Sequence, residues 1–320
     1  MRRSGAGVLL AIALLLAGCA AGGAPAPETP SASAPVSVFA LDQDFPDPDV
    51  VPDGDGYAAF ATGSHGLNIR FARSADLQSW TVENRDALPK LPAWASAGRT
   101  WAPDVAAAPD GGWLMYFTAQ HTESGRQCIG VAASDTLDGT FAPVTDDPLV
   151  CPVEEGGAID AATFDDVDGT RYLLWKTDGN CCSLDTWIEI APLSADGLGL
   201  DGEHTRLLKQ TLDWEGALVE APTLVHRDGK YVLLYSANDY GGDAYAVGAA
   251  VSDELRGPYE KLPEPVLSSR GELRGPGGQD VVAVGDGDAL VFHSWDELYI
   301  YRGLVTRPLE WDDGAPRVAD

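Results

Sequence analysis

The 320-residue sequence predicts an all-β chain folded as a five-bladed β-propeller. Three observations carry this expectation. Asp-Gly turns, each opening into an apolar or aromatic run, recur at Asp55, Asp110, Asp168, Asp228 and Asp286, in steps of 55 to 60 residues. A second landmark follows three of the runs, at Ser74–Trp80, Ser134–Phe141 and Ser252–Tyr259, where Ser and Asp at a turn precede Leu and a closing aromatic. Dense Gly, Pro and Asp turns between short β-rich runs leave few segments of helical length and period. A unit of this size holds about four strands, the content of one blade. Two packed β-sandwiches would not explain a phase-locked count of five.

In chain order, the first residues MRRSGAGVLLAIALLLAGC carry two arginines, an apolar stretch from Val8 to Leu16 and then small residues. That is a secretory leader, too short for a stable spanning helix. Leu16-Ala17-Gly18-Cys19 resembles a bacterial lipobox, so residues 1–18 are expected to be removed and Cys19 to be lipidated, anchoring the exported protein to the outer face of the cell membrane. Residues 19–38 are rich in Ala, Pro, Gly and Ser and lack aromatic residues, a composition that cannot bury enough surface to fold and acts as a tether. The five units then fill residues 39–320.

The formal net charge is −28, and loss of Arg2 and Arg3 with the leader makes it more negative. Such a chain is repelled by polyphosphate, which excludes nucleic acid as a partner and leaves the lipid anchor as the only membrane contact. Beyond Cys19 there are four cysteines. Cys128 and Cys151 lie in apolar runs separated by one turn-rich segment and are expected to pair; Cys181 and Cys182 either bridge each other or stay reduced. The spacing fits no zinc pattern.

In a propeller the innermost strand of each blade runs along the central channel, so residues at one offset from each turn are expected at one height around the axis. Eight residues before the turns stand Asp47, Ala102, Asp160, Glu220 and Gly278; two residues later stand Asp49, Asp104, Ala162, Pro222 and Asp280. Six of these ten positions are acidic. Converging carboxylates repel, so some must retain protons or be compensated by cations. Two carboxyl groups facing each other across a sugar are the minimum for glycoside hydrolysis, and a third nearby can keep the acid protonated.

PDPDVV around Asp47, WAPDV from Trp101, IDAATFDDVDG from Ile159 and VEAPTL from Val219 together resemble glycoside hydrolase family 43, in that family's order and over the whole of residues 39–320. The resemblance implies an inverting hydrolase that removes arabinofuranosyl or xylosyl residues from an oligo- or polysaccharide. It makes Asp47 the general base, Glu220 the general acid and Asp160 the residue that orients the acid and tunes its pKa. Inversion needs room for a water, about 6.5–9.5 Å between the two carboxyls. Trp101, Asp104 and His293 are candidate substrate contacts by the same resemblance. Asp49 and Asp104 fit channel structure better than proton transfer, and the stretch Lys176–Asn180 is a candidate loop at the funnel mouth.

The chain departs from the family at Gly275-Pro-Gly-Gly-Gln-Asp280, where members often carry a GPGHN sequence whose His holds an axial metal or water cluster. Gly278 stands at that place, so no metal and no other cofactor is expected; proton transfer and water suffice for inverting hydrolysis. Two other readings remain. One is an endo-arabinanase of the same family. The other is a surface lipoprotein that binds glycans without cleaving them, whose mark would be a missing acid. A fructan-cleaving propeller is disfavoured by the IDAATF and VEAPTL pair.

Overall fold

The computed structural model describes residues 37–319. The leader, Cys19 and all but the last two tether residues lie outside it. Among the described residues the chain forms five four-stranded antiparallel sheets, the five blades expected. Blade one comprises Asp49–Asp53, Gly56–Thr62, Ile69–Ser74 and Trp80–Glu83; blade two comprises Ala95–Ala107, Trp113–His121, Gln127–Ser134 and Ala142–Pro143. Blade three comprises Ala158–Asp165, Arg171–Thr177, Trp187–Pro192 and Thr205–Lys209; blade four comprises Val219–Arg227, Lys230–Ala237, Ala246–Ser252 and Glu260–Lys261. Blade five comprises Gly277–Val284, Gly287–Trp295, Arg302–Asp312 and Ala315–Val318. Each sheet is ordered from the inner strand outwards.

The second strand of every blade is covered on both faces, which is why it reads as an unbroken apolar run. Successive side chains point to opposite faces. In blade two, Leu114 and Tyr116 pack towards blade three, while Met115 and Phe117 pack towards blade one. In blade four, Leu233 and Tyr235 face blade three, and Val232 and Leu234 face blade five. The apolar residues thus divide into five clusters, one in each gap between neighbouring blades. The gap between blades five and one is filled by Leu41, Phe45, Val50, Val291 and Leu304. There the incoming segment pairs with the last blade, with Leu41 bridging Leu304 and the Phe45 amide donating to the Arg302 carbonyl at 2.8 Å. The two ends of the repeat array therefore close the ring.

Cys128 and Cys151 are joined, tying the third strand of blade two to the segment leading into blade three, and Cys181 is joined to Cys182.

Inside the ring, three aspartates stitch neighbouring blades. Asp49 accepts from the Val105 amide at 3.0 Å, Asp104 from the Thr163 amide at 2.9 Å and Asp280 from the Val50 amide at 2.9 Å. Burial pushes all three carboxyls up, Asp104 to about 7 and Asp280 to about 6; repulsion from Asp104 and Asp280 adds to the rise at Asp49, and repulsion from Asp280 to that at Asp104. Their folded-state pKa values exceed those of the unfolded chain. Stability is therefore greatest below about pH 4 as far as these groups go, and falls as pH rises through about 6 to 7. Asp104→Asn keeps the acceptor for Thr163 and removes the charge. It is expected to raise stability at pH 8 by on the order of 3 kcal/mol and to flatten the decline of Tm between pH 4 and 8. An Asn variant less stable than the parent at pH 8 would show that the charge is compensated by something these three bonds do not include.

Candidate active site

Every blade carries, within its inner strand or, in blade one, just before it, one residue in the left-handed region: Asp47 (φ 52°), Ala102 (43°), Asp160 (56°), Ala221 (49°) and Gly278 (55°). In blades two to five the pairing with the second strand shifts at this residue, forming a β-bulge. Non-glycine residues seldom adopt this conformation, Asp more readily than Ala, and such strain gathers at functional sites. A bulge re-aims the side chains beside it. Here the bulges turn Asp160 and Glu220, and the left-handed turn before blade one brings Asp47, into one axial cavity of about 570 Å³, which is also lined by Trp101, Asp104, Lys176, Tyr245 and Arg302.

The expected column needs one correction. Asp47 and Asp160 do occupy equivalent places, but their counterpart in blade four is Ala221. Glu220 lies one residue earlier, equivalent to Trp101. The reason is turn geometry. The two-residue turns of blades one and five are Gly54-Asp55 and Gly285-Asp286, whereas that of blade four is Asp228-Gly229. Counting from the aspartate therefore moves blade four by one position.

A second column explains how the bulges are held. Opposite the residue before each bulge, at the end of the second strand, stand Thr62, Thr118, Lys176, Ser236 and His293. Four of them accept the amide of the left-handed residue in the next blade. Thr62 Oγ1 accepts from Ala102 (2.9 Å), Thr118 Oγ1 from Asp160 (3.3 Å), Ser236 Oγ from Gly278 (2.9 Å) and His293 Nδ1 from Asp47 (3.1 Å). Lys176 cannot accept, so the Ala221 amide donates instead to Asp160 Oδ2 at 2.9 Å. The buried lysine then donates to Glu220 Oε2 at 3.1 Å and to Asp178 Oδ1 at 3.2 Å, and the Tyr245 hydroxyl donates to Glu220 Oε1 at 2.8 Å.

His293 was expected to touch substrate. It is fully buried and lies behind Asp47, its Nδ1 3.2 Å from Asp47 Oδ1, so it supports that residue instead of facing the cavity. Burial, with the Arg302 charge, holds its imidazole below the ordinary value. Asp104 lines the cavity but spends Oδ1 on the blade-three backbone. Trp101 is half-buried and lines the cavity, as do Asp178 and Asn180, while Lys176, expected in the same loop, instead belongs to the second strand of blade three and is buried.

The two equivalent aspartates have opposite electrostatics. Burial alone would raise the Asp47 carboxyl. The Arg302 guanidinium (Nη1 3.3 Å from Oδ1) and the Thr62 hydroxyl (2.6 Å from Oδ2) more than offset this and hold it well below the carboxylate range. Asp160 is pushed up to about 8 by burial first and then by the charges of Glu220 and Asp47, against the opposing influence of Lys176 and the Ala221 amide. One carboxyl of the cavity stays ionised and another keeps a proton near neutrality.

Gly278 offers no side chain to an axial metal, and its place admits none: a Cβ there would stand 2.6 Å from His293 Nδ1 and 2.7 Å from Asp47 Oδ1. Among the described residues, three ligand-type side chains converge only at His121, Cys128 and Cys151, whose sulfurs are bonded to each other. These residues do not build the axial site that the resemblance offers.

Sequence reading missed Arg302, Thr62 and Tyr245. A signal for the Thr62 column was present, because each apolar run closes on a polar residue: GYAAFAT, WLMYFT, RYLLWK, YVLLYS, ALVFH. Arg302 and Tyr245 lie outside the repeat landmarks, and nothing local marks them.

A propeller whose axial cavity sets an ionised carboxyl beside a protonated one has the make-up of an acid–base enzyme. The chain belongs to the family described as Glycosyl hydrolases family 43, whose model matches residues 39–316. The extracellular endo-α-(1→5)-L-arabinanase 1 of Bacillus subtilis (strain 168) is 26% identical over 293 residues, covering 84% of this chain and 86% of that protein. The β-xylosidase of the same strain is 26% identical over 288 residues, covering 84% of this chain but 49% of that protein. The chain thus spans about half the length of this longer relative. Among solved structures, a thermostable family-43 glycoside hydrolase superposes with a TM-score of 0.78 at 27% identity, covering 87% of this chain and 93% of that one.

Proposed function

We propose that the protein is an inverting glycosidase that removes arabinofuranosyl or xylosyl residues from plant- or cell-wall-type glycans, exported and held at the outer face of the membrane through Cys19. The observation that carries this reading is the opposed electrostatics of the cavity. Asp47, kept ionised, takes a proton from water as the water oxygen attacks the anomeric carbon. The bond from that carbon to the departing oxygen breaks, and Glu220 delivers a proton to the oxygen. Asp160 and Glu220 lie too close for both to be charged, so the pair keeps one proton near neutrality, while Lys176 and Tyr245 fix the direction of the Glu220 carboxyl. Trp101 supplies an apolar face for the sugar ring.

Endo-arabinanase action is the second reading. It has specific support in length: the arabinanase is matched over most of its extent, and the xylosidase over half. Proton NMR during the first minutes of hydrolysis of arabino- and xylo-oligosaccharides tests both. A product of inverted anomeric configuration is expected. Release of single sugars marks exo action and release of oligomers marks endo action. Retained configuration would remove Asp47 as a base.

A further inference from the structure

We infer that the rim of the cavity between blades four and five is a glycan-binding platform, formed by Tyr240, Trp295 and Tyr299, for the part of a saccharide chain that extends beyond the cavity. The inference rests on the glycosidase reading above and adds to it a substrate longer than the cavity holds. Tyr240, in the loop between the second and third strands of blade four, lines the cavity and is 52% exposed. Trp295 closes the second strand of blade five and donates from Nε1 to the Tyr240 carbonyl at 2.7 Å. The Tyr299 ring lies 5.9 Å from that of Trp295, centre to centre, at a tilt of 35°. The Arg302 guanidinium stands 5.1 Å from the Tyr240 ring centre and 5.7 Å from that of Trp295, while its Nη1 reaches Asp47. The aromatic rim is therefore continuous with the machinery of the cavity.

The loop carrying Tyr299 is held open. The Asp296 carboxylate accepts from the amides of Leu298, Ile300 and Tyr301, and the Tyr299 hydroxyl donates to Asp243 Oδ1 at 2.5 Å. Tyr299 itself sits at φ 57°. A loop pinned in this way cannot fold its apolar side chains inward, and Leu298 and Ile300, flanking Tyr299, are 72% and 71% exposed. Contiguous apolar surface at the edge of a cavity marks a binding site. Sugar rings offer apolar C–H faces, and pre-set aromatic rings bind them with little loss of side-chain freedom. Asp239, Asp243 and Glu297 in the same two loops disfavour an anionic polymer or membrane surface and leave a neutral saccharide.

The test is calorimetric binding of arabino- and xylo-oligosaccharides of two to six units to the full chain carrying Glu220→Gln, whose turnover during a titration is negligible. Affinity is expected to climb about tenfold with length beyond the units that fill the cavity, and Tyr299→Ala is expected to erase that gain. Tyr299→Phe, which keeps the ring and loses the bond to Asp243, is expected to retain it, separating stacking from loop structure. An undiminished gain in Tyr299→Ala, an equal loss at every length, or no binding of any member of the series overturns the platform. So does light scattering in which Tyr299→Ala converts a dimer to a monomer while glycan affinity is unchanged. Length-dependent binding by a parent protein that hydrolyses none of the series would sink the hydrolase reading alone.

Discussion

Glu220→Gln is expected to lower kcat on natural oligosaccharides by about a thousandfold with KM little changed, because the departing sugar oxygen then leaves without a proton. The informative comparison is with a substrate whose leaving group needs none. A dinitrophenyl glycoside departs as a stable anion, so the same variant is expected to retain turnover within about tenfold of the parent on it. Glutamine keeps the size of the side chain and one acceptor, which can face Lys176, while its NH2 can donate to the Tyr245 hydroxyl in place of the bond that hydroxyl now gives; in the parent these bonds, at 3.1 and 2.8 Å, fix the carboxyl. A loss of a thousandfold on both substrates would mean that Glu220 does more than donate a proton. No loss on either would move the acid elsewhere, with Asp160 the nearest alternative.

Asp47→Asn is expected to cost about a thousandfold or more in kcat on both substrates, since activation of water is needed whatever the leaving group. In this variant the amide oxygen can face Arg302 and the amide NH2 can donate to the Thr62 hydroxyl, so the fold and sugar binding should survive. The pH profile supplies an independent check. Asp47 is held well below the carboxylate range, chiefly by Arg302 acting against burial, so the base stays ionised through mildly acid and neutral pH. The proton held at Asp160, beside Glu220, is lost near pH 8, and with it the one proton this pair of carboxyls keeps for the departing oxygen. The kcat/KM profile of the parent should therefore be flat from mildly acid to neutral pH and fall above about pH 8. An acid limb centred near pH 6 would contradict the low Asp47 value. Because the Asp49, Asp104 and Asp280 charges weaken the fold over part of the same range, the profile must be taken at a temperature where the protein stays folded at pH 9.

Architecture was legible because a propeller is a local repeat. Each second strand is covered on both faces and must be apolar throughout, as in WLMYF and YVLLY, and the short polar turns that bound such runs recur at one period. The three carboxyls were legible for the same reason, through their phase against those turns. The phase itself failed by one residue at Glu220, since a count along the chain cannot tell whether Asp-Gly fills a two-residue turn or overlaps its edge.

What only the tertiary structure decided is how each carboxyl is charged. Arg302, Thr62 and His293 come from three places in the chain to hold Asp47, and Tyr245 reaches Glu220 across the opening of blade four. Proton affinity depends on burial and on charges a few ångströms away in space, not along the sequence. Residue types and spacing therefore determined the fold and the identity of the acids. Ring closure, by bringing blade five against blade one, decided which of them stays ionised.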